Sequence, residues 1–291
     1  MKQLRSSQHN TLKAQTRRHN IYNYIVYGFL LIFFGLPLLW ITLLSIRTAE
    51  EVWTIASQPI PVNPTLENFS TVLRDGKIQG YLLNSVKLVG IGTFIAFIGA
   101  APAAYAMSRL RFRGGRLLLV SVLALQMISP LVIMIPLYRM LADLRLLDSQ
   151  IITGVIYGVL GMPFMTWVLK GFFDKIPVEL DEAALIDGCT RFQAFYRIIL
   201  PVARPGVSSA IVLAIIVGWG RFEVPYILLK RTADLPISVG ILALQGQQQY
   251  SVSTQQLLAA ATLVSMAPVV ILFLLMQRFV IRGLTEGALK G

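Results

Sequence analysis

The stretch IPVELDEAALIDGCTRFQAFYRIILPVARPG, residues 176–206, is a polar interruption between two long apolar runs. Several acids follow Pro177, and negative charge at the start of a helix is favoured by the helix dipole. Gly188 suits the left-handed position that ends a helix, and Thr190 suits the cap that begins the next one. Apolar residues then recur at steps of three and four until Pro201, which we expect to end the helix. The stretch therefore predicts two short amphipathic helices joined by a turn.

Outside this stretch the chain consists mainly of uncharged apolar runs. Of its 291 residues 55% are hydrophobic and 14% are charged, whereas soluble domains average about 25% charged residues. A helix of about 20 apolar residues crosses a bilayer core and satisfies its own backbone hydrogen bonds there. We therefore predict an all-α integral membrane protein with six transmembrane helices, at residues 22–46, 81–108, 117–138, 151–169, 205–229 and 257–276.

The distribution of Lys and Arg predicts the orientation of these spans. Seventeen of the 26 basic residues lie in the tail 1–20, in the loops after the second and fourth spans, and in the tail 277–291. The other loops hold seven. Because short loops rich in Lys and Arg stay in the cytoplasm, we expect both termini and the stretch 176–206 on the cytoplasmic side. An ordinary connection between helices has about two to eight residues, so this longer stretch indicates either a docking surface or a helix pair lying at the membrane interface.

The spacing within the stretch resembles the signature E-A-A-x-x-x-G-x9-I-x-L-P of binding-protein-dependent ABC importer permeases. The ending QRFVIRGLTEGALKG, residues 277–291, is similar to that of the maltose-type sugar permease subfamily (MalG-like). The resemblance covers nearly the full length from the first span onward. The residues that it assigns to coupling with an ATPase are Glu182, Ala183, Ala184, Asp187, Gly188, Ile198, Leu200 and Pro201.

This resemblance implies a type I ABC importer permease fold in which residues 176–206 form the coupling loop. Glu182 would pair with a basic residue of the ATPase, and small residues would let the helix sit close to it. The implied partners are a second homologous permease, two ATPase subunits, an extracytoplasmic solute-binding protein and membrane lipid. The C-terminal residues that the resemblance places against the ATPase are Arg282, Gly283, Leu284 and Thr285.

The chain lacks the residues that nucleotide binding, catalysis or metal binding would need. No G-x-x-x-x-G-K-[ST] motif is present, so ATP and Mg²⁺ are expected on a partner ATPase and no cofactor on this chain. Both histidines, His9 and His19, lie in the polar tail, and Cys189 is the single cysteine. We therefore expect neither a catalytic site nor a metal site. The basic residues are spread between the apolar runs, which argues against nucleic acid as a partner.

Two segments are candidates for contact with the solute. The fifth span contains WGRFE, residues 219–223, where the maltose-type subfamily commonly has residues like Trp-Asn-Glu-Phe. Trp219, Arg221 and Glu223 therefore indicate either a pathway for a charged or unusual sugar or an ion pair with a neighbouring subunit. The following loop holds Gln247, Gln248 and Tyr250, which suit sugar hydroxyls and rings but are equally compatible with a plain polar loop.

The sequence thus predicts a permease subunit of an ATP-driven importer in a bacterial or archaeal cytoplasmic membrane, for a sugar, oligosaccharide or sugar derivative. One alternative is a permease for another solute class, such as a polyol phosphate or an amino acid. A secondary transporter is the other alternative. It would need inverted repeats and its own ion site, and paired carboxylates in the spans are missing.

Overall fold

The computed structural model describes the backbone of residues 2–54, 58, 60–110, 114–245 and 255–288, and most side chains between Asn23 and Gln277. No β-strand occurs among these residues. In chain order their α-helices are α1 (Lys2–Ser45), α2 (Ala49–Thr54), α3 (Glu67–Arg74), α4 (Gly76–Arg109), α5 (Gly115–Ala124), α6 (Pro130–Asp143), α7 (Gln150–Phe173), α8 (Glu179–Ile186), α9 (Arg191–Ala194), α10 (Leu200–Val202), α11 (Arg204–Gly220), α12 (Glu223–Leu228), α13 (Ile237–Gln245) and α14 (Gln255–Ala288).

Four described helices are long and apolar enough to cross a membrane by themselves. These are the part Asn23–Ser45 of α1, the whole of α4, the whole of α7 and the part Gln255–Gln277 of α14. A fifth candidate is a bent pair, Arg191–Val202 followed by Arg204–Gly220, whose halves are inclined by 80°. The sequence predicted six spans, and the difference lies in the third and fifth apolar runs.

The third run, predicted as one span over 117–138 with a kink signal at Pro130, consists of two helices. α5 ends at Ala124, a short 3₁₀ turn follows at Leu125–Met127, and α6 begins at Pro130. Proline offers no N–H for a helical hydrogen bond and disfavours helical backbone at the residue before it. Ser129 accordingly has an extended ψ of 131°. Hydropathy detected the apolar composition of this run but not its break.

The fifth run is also interrupted. It was predicted at 205–229, and the structure has α11 ending at Gly220 and α12 beginning at Glu223. Between them Arg221 is extended, with φ −71° and ψ 121°. At about 1.5 Å per residue, the 17 residues of α11 fall slightly short of a bilayer core of about 30 Å.

The chain divides into two compact units, residues 1–72 with 252–263 and residues 73–251 with 264–291. In the first unit the end of α1 is tied to the segment that follows it. The Asn68 side-chain amide donates to the carbonyl oxygens of Ser45 and Arg47, each at 2.8 Å. The backbone N–H of Thr65 donates to the carbonyl of Ile46 at 2.8 Å. These bonds fold the segment back on the helix end.

In the second unit α4 and α7 pack along a seam of glycines. A Cβ atom added to Gly158 would lie 2.6 Å from Cβ of Ile95 and 2.8 Å from the carbonyl oxygen of Gly92. A Cβ atom added to Gly92 would lie 2.8 Å from Cβ of Tyr157. Small residues allow helix backbones to approach this closely inside a membrane.

We expect Gly158→Ala to lower the thermal unfolding midpoint of the purified protein in detergent by several degrees. The added methyl meets backbone, and overpacking of this kind costs about 1–3 kcal/mol. Gly171→Ala is the matched control, because Gly171 also lies in α7 and an added Cβ there meets nothing within 4 Å. Equal melting of the Gly158→Ala protein and the wild type would contradict the close seam.

Candidate functional site

The segment 176–206 contains the predicted helix, turn and helix. α8 ends where Gly188 takes a left-handed φ of 85°. Thr190 then caps the next helix. Its hydroxyl accepts from the N–H of Gln193 at 3.2 Å, and its own N–H donates to the Gln193 side chain at 2.8 Å. This reciprocal capping box fixes the turn.

The second helix differs from the prediction, because Pro201 does not end it. After α9 the chain continues as a π-helical segment, Phe195–Ile199, and then as α10. Pro201 stands in the first turn of α10, where its missing N–H needs no helical partner. The break comes two residues later at Ala203, and the chain then turns by 80° into α11.

A buried ion pair attaches α8 to the end of α4. One carboxylate oxygen of Asp181 accepts from Arg109 Nε at 2.6 Å, and the other accepts from the Tyr105 hydroxyl at 2.5 Å. A second guanidinium nitrogen of Arg109 donates to the carbonyl of Ile176 at 2.9 Å. The side chains of Arg109 and Asp181 are 5% and 10% exposed. Both carboxylate oxygens are therefore engaged, and α8 is held to α4 by charged hydrogen bonds shielded from solvent.

An aromatic cluster attaches the second helix of the segment to the ends of α4 and α7. The Phe195 ring lies 4.9 Å from the Tyr105 ring and 6.2 Å from the Phe173 ring, measured between centroids. Phe195, Ile199 and Ala203 are buried in one core with residues of α4 and α7. The segment is thus packed against the membrane helices rather than suspended between them.

The sequence gave no sign of the pair between Arg109 and Asp181. Asp181 was interpreted only as an acid that complements the helix dipole. Its partner lies 72 residues earlier, and no helical periodicity connects residues so far apart. The available signal was weaker: Arg109 follows a long apolar run, so it lies at the end of a helix where it can meet the loop.

The outward surface of the segment is strongly apolar for a loop. The side chains of Ile186, Phe192 and Tyr196 are 86%, 72% and 65% exposed, and Glu182 and Ala183 of the same segment are exposed as well. We call these five residues the outer face. Large apolar side chains left exposed on a polar segment are typical of an interaction surface.

The other residues that the resemblance assigned to coupling lie behind or beside the outer face. Ala184 is 1% exposed, so its small size serves packing within this chain and not close approach by a partner in this conformation. Ile198 and Leu200 are half-buried against the core, and Pro201 is half-buried. Asp187 and Gly188 are exposed at the turn.

The candidate pathway residues surround the break between α11 and α12. The Trp219 indole N–H donates to the carbonyl of Ser265 at 3.0 Å. The carbonyl of Arg221 accepts from the Tyr157 hydroxyl at 2.6 Å and from the Ser238 hydroxyl at 3.3 Å. Glu223 begins α12 and is half-buried.

For two groups of candidates the structure does not describe the side chains. Gln247, Gln248 and Tyr250 are outside the described residues altogether. Residues Arg282 to Thr285 lie in the backbone of α14, but their side chains are outside the described set.

The long apolar helices indicate an integral membrane protein, and comparison with known proteins identifies its family. The family model described as the inner membrane component of binding-protein-dependent transport systems matches residues 89–286. The chain belongs to this family.

Two curated relatives and one solved structure illustrate the similarity. The sulfoquinovosyl glycerol transport system permease SmoH of Agrobacterium fabrum is 32% identical over 88% of each chain. The trehalose/maltose transport system permease MalG of Thermococcus litoralis is 31% identical over 88% of this chain and 91% of the relative. A chain of a bacterial ABC transporter that imports the acidic polysaccharide alginate has a TM-score of 0.74 at 22% identity, over 90% of this chain and 96% of that one. The predicted all-α permease fold and the resemblance to maltose-type permeases are confirmed.

Proposed function

We propose that this chain is a permease subunit of an ATP-driven importer for a sugar, oligosaccharide or sugar derivative, and that loop 176–206 couples it to a separate ATPase. The observation that carries the proposal is that one loop has both a buried ion pair to α4 and exposed apolar side chains. Asp181 fastens the loop inward, and the outer face around Ile186 is open to a partner. The names of the curated relatives support a sugar as the solute.

A coupling loop must pass a displacement from a soluble subunit to membrane helices without deforming. Packed elements with two discrete arrangements do this, whereas a flexible loop would absorb the motion. The ion pair connects the loop to α4, and the Phe195 cluster connects it to both α4 and α7. The continuous backbone through α10 connects it to α11.

The proposal places the loop and both termini on the cytoplasmic side, where the ATPase is. The excess of Lys and Arg in the corresponding segments supports this orientation. The complete assembly would contain a second homologous permease, two ATPase subunits and an extracytoplasmic binding protein, with the segment Arg282–Thr285 contacting the ATPase. ATP and Mg²⁺ belong to the ATPase in this assembly.

Reconstitution into proteoliposomes tests the proposal. We expect solute uptake when the chain is combined with the second permease, the ATPase and the binding protein encoded beside it, and no uptake by the chain alone. A variant ATPase that binds but does not hydrolyse ATP is the control, and it should abolish uptake. Uptake by the chain alone, driven by an ion gradient, would instead identify a secondary transporter.

A further inference from the structure

We propose that Arg221 recognises an oxyanion on the transported solute, so that this importer takes up an acidic sugar, such as one with a carboxylate, rather than a neutral one. This inference rests on the proposed function and deepens it, because it names the substrate class. The Arg221 side chain lies at the break between α11 and α12.

Arg221 follows a long uncharged segment. From Pro205 to Gly220 no residue of α11 carries a charge. The cavity that Arg221 lines lies against the middle of two membrane helices, at Gly92 of α4 and Gly161 of α7. Ionisable residues at such depth are costly, and they mark solute or ion pathways.

The backbone carbonyl of Arg221 is hydrogen-bonded, whereas its guanidinium has no hydrogen-bond or ion-pair partner within the described residues. Tyr157 and Ser238 both donate to its carbonyl oxygen. Within the described part of the chain the guanidinium makes no hydrogen bond and no ion pair within 4.0 Å. Glu223 acts on it electrostatically from beyond that distance. Five N–H donors of a permanent cation are thus available at a defined position.

The cavity beside Arg221 is too small for a solute. Its volume is about 30 Å³, and its lining includes Thr93, Tyr157, Gly161 and Gly218 beside Arg221. This volume admits a water molecule but not a sugar ring. A sugar can therefore enter this cavity only when the helices separate, as alternating access around a fixed site requires.

The chemistry of the guanidinium favours an anion over a hydroxyl. Its planar fork matches the two oxygens of a carboxylate, and charge-assisted pairs are about twice as strong as neutral hydrogen bonds. An oxyanion also neutralises a charge that is partly removed from water, which a neutral sugar cannot do. The rival occupant is an acidic side chain of the second permease, and the experiment below separates the two.

The test uses the complete importer in proteoliposomes with its own binding protein, and a panel of disaccharides in which each neutral sugar is paired with its uronic acid derivative. We expect the binding protein to select an acidic member and the wild type to import it. Arg221→Gln should reduce that uptake at least tenfold and Arg221→Lys should retain a substantial part. Both variants should still co-purify with the other subunits of the importer.

Glu223→Gln is the companion variant on the same break. It removes the negative charge that acts on Arg221, so uptake of the acidic sugar should increase. A loss of uptake in Glu223→Gln would show that the two residues act as a pair and would overturn the inference.

Three further results would overturn it. They are selection of neutral members only, wild-type uptake by Arg221→Gln, and loss of both assembly and ATP hydrolysis in Arg221→Gln, which would indicate pairing with the second permease. ATP-dependent uptake of a neutral sugar alone would refute this inference but leave the proposed function intact. Absence of any ATP-dependent uptake by the wild type would refute the proposed function itself.

Discussion

Replacing Asp181 by asparagine is expected to reduce ATP-driven uptake at least tenfold. The substitution leaves Arg109 charged, 5% exposed and without its carboxylate, and removal of one partner from a buried pair costs about 3–5 kcal/mol. Either the loop then detaches from α4 or the arginine moves toward water. In both cases the charged attachment of the loop to α4 is lost and only the Phe195 cluster connects the two, so less of a displacement of the loop reaches α4. The measurements are solute uptake and ATP hydrolysis by the reconstituted complex, and we expect uptake to fall more than hydrolysis.

The neighbouring pair between Lys170 and Asp174 is the matched control for this experiment. Its N–O distance is also 2.6 Å, but its side chains are 24% and 44% exposed, and exposed pairs contribute about 0–1 kcal/mol. Asp174→Asn should therefore retain near wild-type uptake.

The double variant Arg109→Met/Asp181→Leu should regain much of the thermal stability lost by Asp181→Asn, because it leaves no buried charge. Wild-type coupling in Asp181→Asn would remove the mechanical role that we assign to the pair.

Charge reversal of Glu182 is expected to lower uptake to less than a tenth of the wild-type value without unfolding the protein. Glu182 is exposed on α8, and substitutions at such positions usually change stability by no more than about 0.5 kcal/mol. If Glu182 meets a basic residue of the ATPase, Glu182→Lys places like charges together, which costs several kcal/mol at an interface. Co-purification of the ATPase with the permease and uptake by the complex are the two measurements.

Glu67→Lys controls for the general effect of losing an acid at a helix start. Glu67 and Glu182 are both exposed acids in the first turn of an eight-residue helix, so the change in dipole energy should be similar. Only Glu182 lies on the outer face. If the two variants behaved alike, the helix dipole rather than a partner would account for Glu182.

The sequence predicted most of what depends on local pattern. Runs of apolar residues located the long helices α4 and α7, and the glycine and threonine of the loop predicted its turn and cap correctly. The chemistry behind these features acts over three or four residues, so one segment of chain contains the whole signal.

The features that the sequence did not predict are contacts between residues far apart in the chain and small differences between α-helical and π-helical backbone. The pair between Arg109 and Asp181 joins distant segments. The chain passes through Pro201 after a π-helical segment, which has no distinct composition. The break before Pro130 was signalled by the proline, but the apolar residues around it outweighed this signal. Ala184 was assigned outward because a motif does not specify which face of a helix is buried.

The 80° bend at Ala203 has a consequence for how the membrane helices can move. The axis of Arg191–Val202 is almost perpendicular to the axis of α11. A shift along the first axis therefore has little component along the second. A sideways movement of the loop would therefore lean α11 over instead of sliding it lengthwise past α4 and α7. The contacts of α11 near Ala203 could then persist during the transport cycle, while its far end at Gly220 moves away from α4 and α7 and opens the cavity beside Arg221.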